Sequence, residues 1–174
     1  MPSSGAIPKI ALFEVAEIYK EIKLYFNISF TISKETIEDE TFKDYVIEQL
    51  DFFKIPKTAI TITYNDDLTD KSLNTLKSLS TNQIFLATSN IDVIKKLPVL
   101  YFIYELPNTI KHNENDFILL LKNYCDSKNI RFVISGCNNN QIISHYTPQG
   151  FSLFKGNVYK ATLTFKDIIK AFLA

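Results

Sequence analysis

The chain has 174 residues, of which 46% are hydrophobic and 22% charged, with 19 Lys and Arg balanced by 19 Asp and Glu. This is the composition of a folded globular chain, since a disordered one would be poorer in Phe, Ile and Leu. Arg131 is the sole arginine, so neither a basic surplus nor a set of bidentate forks is available for phosphates, and nucleic acid is excluded as a partner.

No apolar run approaches the roughly 18 to 20 residues of a membrane span, and residues 1–5 lack the charged and apolar regions of a signal peptide. The chain is therefore expected to be soluble and cytoplasmic. Cys125 and Cys137 sit inside apolar segments without a second Cys nearby, the pattern of buried thiols rather than of a zinc site or a disulfide. His112 and His145 stand among polar residues and are expected at the surface.

In chain order, a first helix is predicted over about residues 10–22. Strands follow at 24–30, 59–64, 83–87, 99–104, 131–135 and 150–154, each short and rich in β-branched or aromatic residues. Helices are predicted between most of them. Phe42, Tyr45, Val46, Leu50 and Phe53 recur at helical spacing, as do Phe117, Leu120, Leu121, Tyr124 and Cys125 after Asn113 and Asn115 as candidate N-caps. Thr164 is a candidate cap for a last helix carrying Phe165, Ile168, Ile169, Phe172 and Leu173.

Strands alternating with helices imply parallel pairing, because parallel strands need crossover connections. In 24–30 the even positions Leu24, Phe26, Ile28 and Phe30 are apolar, whereas Asn27 and Ser29 face the other way; Ile60 and Ile62 oppose Thr61 and Thr63 in the same manner. A half-polar face suits a barrel better than a flat sheet covered on both sides. A complete (β/α) barrel rarely has fewer than about 200 residues, so the expected fold class is α/β, an incomplete (β/α) TIM-like barrel of about six strands. Residues 1–9 are expected to be a disordered or vector-derived N-terminus, and 10–174 a single domain.

Several short motifs occur in a recognisable order. Tyr25-Phe26-Asn27-Ile28-Ser29, Asp39-Glu40-Thr41-Phe42, Ile55-Pro56 with Ile60-Thr61-Ile62-Thr63, Leu97-Pro98-Val99 through Glu105, Phe132 through Asn139, and Gln149-Gly150-Phe151 together resemble the EAL domain. That family comprises bacterial phosphodiesterases of cyclic di-GMP. The fourth motif is similar to its LPVDYLKID, the fifth to its VVAEGVET and the last to its QGY, over roughly residues 10–160. The resemblance implies a (β/α) barrel with its site at the strand C-termini, where divalent metals held by carboxylates activate water.

The departures from that pattern shape the functional expectation. Thr61 stands for the strand Glu, Ala87 and Thr88 for the paired Asp, Ile103 for the Lys and Ser135 for the Glu of AEG, while the Asp after the Lys survives as Glu105. Asn27 and Gln149 match the family but offer only neutral oxygens. These eight positions are expected to be vestigial, with no catalytic residue, metal or cofactor. Asn27 and Gln149 are expected as buried, hydrogen-bonded residues.

The segment that should precede Asn27 in the family, including the EAL tripeptide, is too short here for the first strand and probable second. The loop at 89–96 is shortened as well. Asp66 and Asp67 read as a cap or solvated turn, Asn138 to Asn140 as a helix cap, and Glu35, Glu38, Asp39 and Glu40 as a negative first helical turn.

The leading expectation is a non-enzymatic EAL-like module for protein interaction or scaffolding in bacterial signalling, partnered by another protein across edges that an incomplete barrel exposes. The alternative is a cyclic di-GMP receptor without hydrolysis, which the lack of an arginine cluster disfavours. Should the resemblance be accidental, the fallback is an unassigned α/β domain. No Gly-rich phosphate loop follows any strand.

Overall fold

A computed structural model describes residues 7, 9–22, 27–107 and 112–158. These fall into two compact units, one over residues 7–98 and the other over 99–158.

The first unit opens with helix α1 (Lys9–Ile22). Its residues Leu12, Val15, Ala16 and Ile18 are buried, the spacing of one helical face. Strand β1 (Ile28–Thr31) pairs in parallel with β2 (Ile60–Thr63), which pairs in parallel with β3 (Phe85–Thr88). Between them run α2 (Lys34–Ile37), α3 (Phe42–Phe52) and α4 (Asp70–Thr81), and α5 (Ile91–Lys96) follows β3. Helix α3 buries Phe42, Val46 and Leu50, and α4 buries Ser72, Leu76 and Leu79. Each fully buried large aliphatic side chain contributes roughly 1.5–3 kcal/mol, so these stripes hold the helices on the strands.

Local chemistry sets the helix ends. Thr69 Oγ1 accepts from the Ser72 amide at 3.1 Å while Ser72 Oγ accepts from the Thr69 amide at 2.9 Å, a reciprocal capping box that starts α4. The Tyr45 hydroxyl donates to the Ile7 carbonyl at 3.2 Å, tying α3 to the chain ahead of α1.

The second unit alternates β4 (Tyr101–Glu105), α6 (His112–Ser127), β5 (Arg131–Ser135), α7 (Asn140–Tyr146) and β6 (Leu153–Lys155). Its strands pair β4 with β5 and β5 with β6, both in parallel. Aromatic rings fill its interior: Phe132 lies 5.6 Å from Phe102 and 5.4 Å from Phe151 between ring centroids, and Phe151 lies 5.3 Å from Tyr146. Cys125 and Cys137 are free and buried.

The α/β class and the six strands are as the sequence predicts; β5 has its predicted bounds, and the boundaries of the others are displaced by one to four residues. Residues 24–26 of the first predicted strand and the predicted last helix lie outside the described residues. The segment at 89–96 holds helix α5, capped by Asn90 Oδ1 accepting from the Asp92 amide at 2.9 Å. Asn115 is not an N-cap. It lies within α6 and its side chain reaches α7, where it meets His145 and Tyr146.

Asn139 does cap α7, accepting from the Ile142 amide at 3.1 Å. The acidic run divides: Glu35 lies in the first turn of α2, Glu38 is its C-cap, and Asp39 precedes α3. Among the described residues no helix is long and apolar enough to cross a membrane.

Candidate functional site

Within the first unit, parallel register sets Thr61 opposite both Ser29 and Phe85, and Thr63 opposite both Thr31 and Ala87. Thr61, Thr63 and Ala87 therefore share one face of the strands and Thr88 lies on the other. All four residues of β2 are buried, so on this strand Thr61 and Thr63 are enclosed as fully as Ile60 and Ile62, whereas Ser29 on β1 is exposed. The hydroxyls on this face are satisfied by neighbours: Thr61 Oγ1 donates to Asn27 Oδ1, and Ser29 Oγ and Thr63 Oγ1 lie 2.6 Å apart. Unsatisfied hydroxyls at such depth would cost about 1–3 kcal/mol each.

Asn27 is exposed, contrary to the buried position expected. It stands just before β1, where its amide nitrogen donates to the Thr58 carbonyl at 3.0 Å. It remains hydrogen-bonded at both ends because it bridges the start of β1 to the turn leading into β2. Thr88 is fully buried and accepts from the Asn90 amide at 2.9 Å.

Asp66 and Asp67 follow β2 and serve structure. Asp66 Oδ2 accepts from the Lys34 amide at 2.8 Å, at the first residue of α2. The Asp67 carbonyl accepts from the Tyr64 hydroxyl at 2.9 Å. Asn65 adds a link to the chain after β3, accepting from the Ser89 amide at 2.9 Å. Only the spatial neighbourhood reveals the roles of Asp66 and Asn65, whose partners are 32 and 24 residues away, whereas the bond between Tyr64 and Asp67 is local.

In the second unit, Ile103 stands opposite Val133, and Glu105 opposite Ser135. Ser135 in turn faces Lys155. Glu105, Ser135 and Lys155 thus form one row at the C-terminal ends of β4, β5 and β6, with the carboxylate and the ammonium at its two exposed ends and the hydroxyl buried between. Lys155 was not singled out by the sequence, since nothing local to it indicates that row.

Glu105 lies against backbone: a Cβ at Gly136 would sit 3.1 Å from its Oε1. Gln149 stands ahead of β6, at the opposite end of the strand from Lys155, and is only partly buried. Its amide nitrogen is held by the His145 carbonyl at 3.0 Å and approaches His145 Nε2 at 3.1 Å. It is thus placed by α7 and not by an interior pocket, which corrects the burial expected for it.

Metal-assisted phosphodiester hydrolysis needs several carboxylate oxygens on hard cations. Of the eight positions expected to be vestigial Glu105 alone carries a carboxylate, and the hydroxyls of Thr61 and Thr88 are engaged by protein partners. These residues do not fit a pair of divalent ions.

No protein-family profile and no curated protein matches the sequence. The fold does have solved counterparts. The EAL enzyme Bd1971, in a form bound to cAMP and cyclic di-GMP, is similar with a TM-score of 0.84 and 10% identity over 94% of this chain and 50% of that one. The EAL domain of Mycobacterium smegmatis DcpA has a TM-score of 0.79 and 12% identity over 95% of this chain and 81% of its own. The PaMucR phosphodiesterase in complex with c-di-GMP has a TM-score of 0.79 and 14% identity over 92% of this chain and 78% of its own. The chain spans about half the length of the Bd1971 chain. Its α/β fold is that of the TIM-barrel-like EAL structures.

Proposed function

We propose that this chain is a degenerate, non-enzymatic EAL-like module that acts in bacterial cyclic di-GMP signalling by binding another protein. The fold supports the connection to EAL proteins. The observation that carries the loss of chemistry is the pairing of Asn27 with Thr61 and of Ser29 with Thr63. Neutral side chains there satisfy one another, where the resemblance calls for a charged metal ligand on the second strand. On this reading Thr61, Ala87, Thr88, Ile103 and Ser135 preserve packing, and Asn27, Glu105 and Gln149 are remnants with structural partners.

The test is incubation of the chain with cyclic di-GMP and magnesium or manganese, followed by chromatography for the linear dinucleotide. No product above a metal-free control is expected, and metal-dependent product overturns the reading. Calorimetry on the same protein separates module from receptor: no heat with excess cyclic di-GMP supports the interaction module, whereas micromolar binding replaces it with a receptor.

A further inference from the structure

The second unit has a cavity of about 410 Å³ at the N-terminal ends of β5 and β6, the opposite end of these strands from Ser135 and Lys155. That volume lies within the about 300–1,000 Å³ typical of small-molecule sites. All its lining residues belong to this unit. Its apolar side comes from Ile130, Phe132 and Phe151, all buried. Its polar side includes the chain's sole arginine, Arg131.

The cationic groups there differ in availability. Lys122 is held: its Nζ is 2.5 Å from Asp126 Oδ2, one helical turn along α6, and 5.6 Å from the centre of the Phe151 ring. Gly150, whose φ of 86° is the left-handed conformation that glycine adopts freely, lies in van der Waals range of that side chain, a Cβ there falling 3.7 Å from Lys122 Cε. The Asp126 carboxylate is thereby engaged. Arg131 has no ion pair or side-chain hydrogen bond among the described residues. The nearby end of α6 is closed by its own backbone, with the Cys125 carbonyl taken by the Lys128 and Ile130 amides and the Asp126 carbonyl by the Asn129 amide.

The geometry points to a binding site for a small organic anion, with an aromatic or aliphatic body against Phe132 and Phe151 and a phosphate or carboxylate on the Arg131 guanidinium. An unpaired guanidinium offers planar, bidentate recognition of such groups. Lys122 adds positive potential, and the edges of Phe132 and Phe151 that line the cavity give an organic body a contact that a bare ion does not use. The site is separate from the vestigial positions Glu105 and Ser135 and needs no metal.

Amide correlation spectra of the full chain, titrated with phenyl phosphate, test the assignment, with inorganic phosphate and phenol as half-probes. Saturable shifts at Asn129, Arg131, Gly150 and Ser152 are expected, stronger for phenyl phosphate than for either half. Arg131→Gln should weaken binding at least about tenfold and Arg131→Lys should retain part of it, both exposed substitutions leaving the rest of the spectrum in place. Absence of saturable shifts at these amides overturns the site. So does binding that Arg131→Gln leaves unchanged, or phenol binding as tightly as phenyl phosphate. Equal binding of inorganic phosphate overturns the assigned ligand class.

Discussion

The Tyr146 hydroxyl donates to Asn115 Oδ1 at 2.9 Å, joining the end of α7 to the first turns of α6. This contact closes a chain of dependent hydrogen bonds. Gln149 gives one amide proton to the His145 carbonyl, so its nitrogen, and not its oxygen, faces that group, and it approaches His145 Nε2 with the other. Both amide nitrogens near that ring nitrogen are donors, so it carries the lone pair they share, with Asn115 Nδ2 at 3.0 Å, and Asn115 Oδ1 is left for Tyr146. The expected tautomer of His145 at pH 8 carries its proton on Nδ1; long-range nitrogen spectra showing it on Nε2 would refute the network. Tyr146→Phe keeps the buried ring and removes one donor, so denaturant titration should register a loss of about 1 kcal/mol.

The backbone turn after β6 predicts a sharp contrast between two glycines. The Cys137 amide donates to the Lys155 carbonyl at 3.0 Å and the Val158 amide to the Cys137 carbonyl at 3.1 Å. Gly156 lies between these bonds, and a Cβ there would fall 2.2 Å from the Cys137 oxygen. Gly156→Ala must displace backbone and should cost at least about 2 kcal/mol. Gly150→Ala meets only the Lys122 side chain at 3.7 Å, so its expected cost is about 1–2 kcal/mol from the left-handed backbone alone. Melting curves of both variants check the order; a milder effect at Gly156 would count against the turn.

Both thiols should be unreactive in the folded chain. Burial pushes the Cys125 thiol up to about 11 and raises Cys137 as well, and the thiolate is the reacting species. A chromogenic disulfide reagent at pH 8 is expected to label neither cysteine within minutes under native conditions and both in guanidinium. Rapid native labelling of either would show that its site is open.

Asp39 provides a pH-dependent tie at the start of α3. Its carboxylate accepts from the Thr41 hydroxyl at 2.6 Å and the Thr41 amide at 2.8 Å, which hold it below the usual carboxylate range. Because the folded value is depressed, the contribution is present above the unfolded value and is lost as pH falls through the folded one. Carboxyl carbon titration should place Asp39 below an exposed reference Asp, and Thr41→Val should move it back up.

Much of this architecture is legible locally. Period-two alternation marks β2 through Ile60, Thr61, Ile62 and Thr63, helical spacing marks α3 through Phe42, Val46 and Leu50, and Asn139 is readable as a cap because its bonded amide is three residues away. Such signals persist in a single chain because each depends on near neighbours. The replacement of charged residues by Thr61, Ala87 and Ile103 is likewise a matter of sequence alone, read through the resemblance.

Long-range contacts decided the rest. Asp66 accepts from the first amide of a helix that precedes it by 32 residues, and Asn115 serves the end of α7 instead of starting α6. Asn27 satisfies Thr61 from an exposed position, and Lys155 joins Glu105 and Ser135 through register across three strands. The pairing of the free Arg131 with a cavity beside buried Phe132 and Phe151 is of the same kind. Residue type and spacing specify which elements form, but which side chains meet depends on how parallel strands align and on what each crossover helix brings back to their ends.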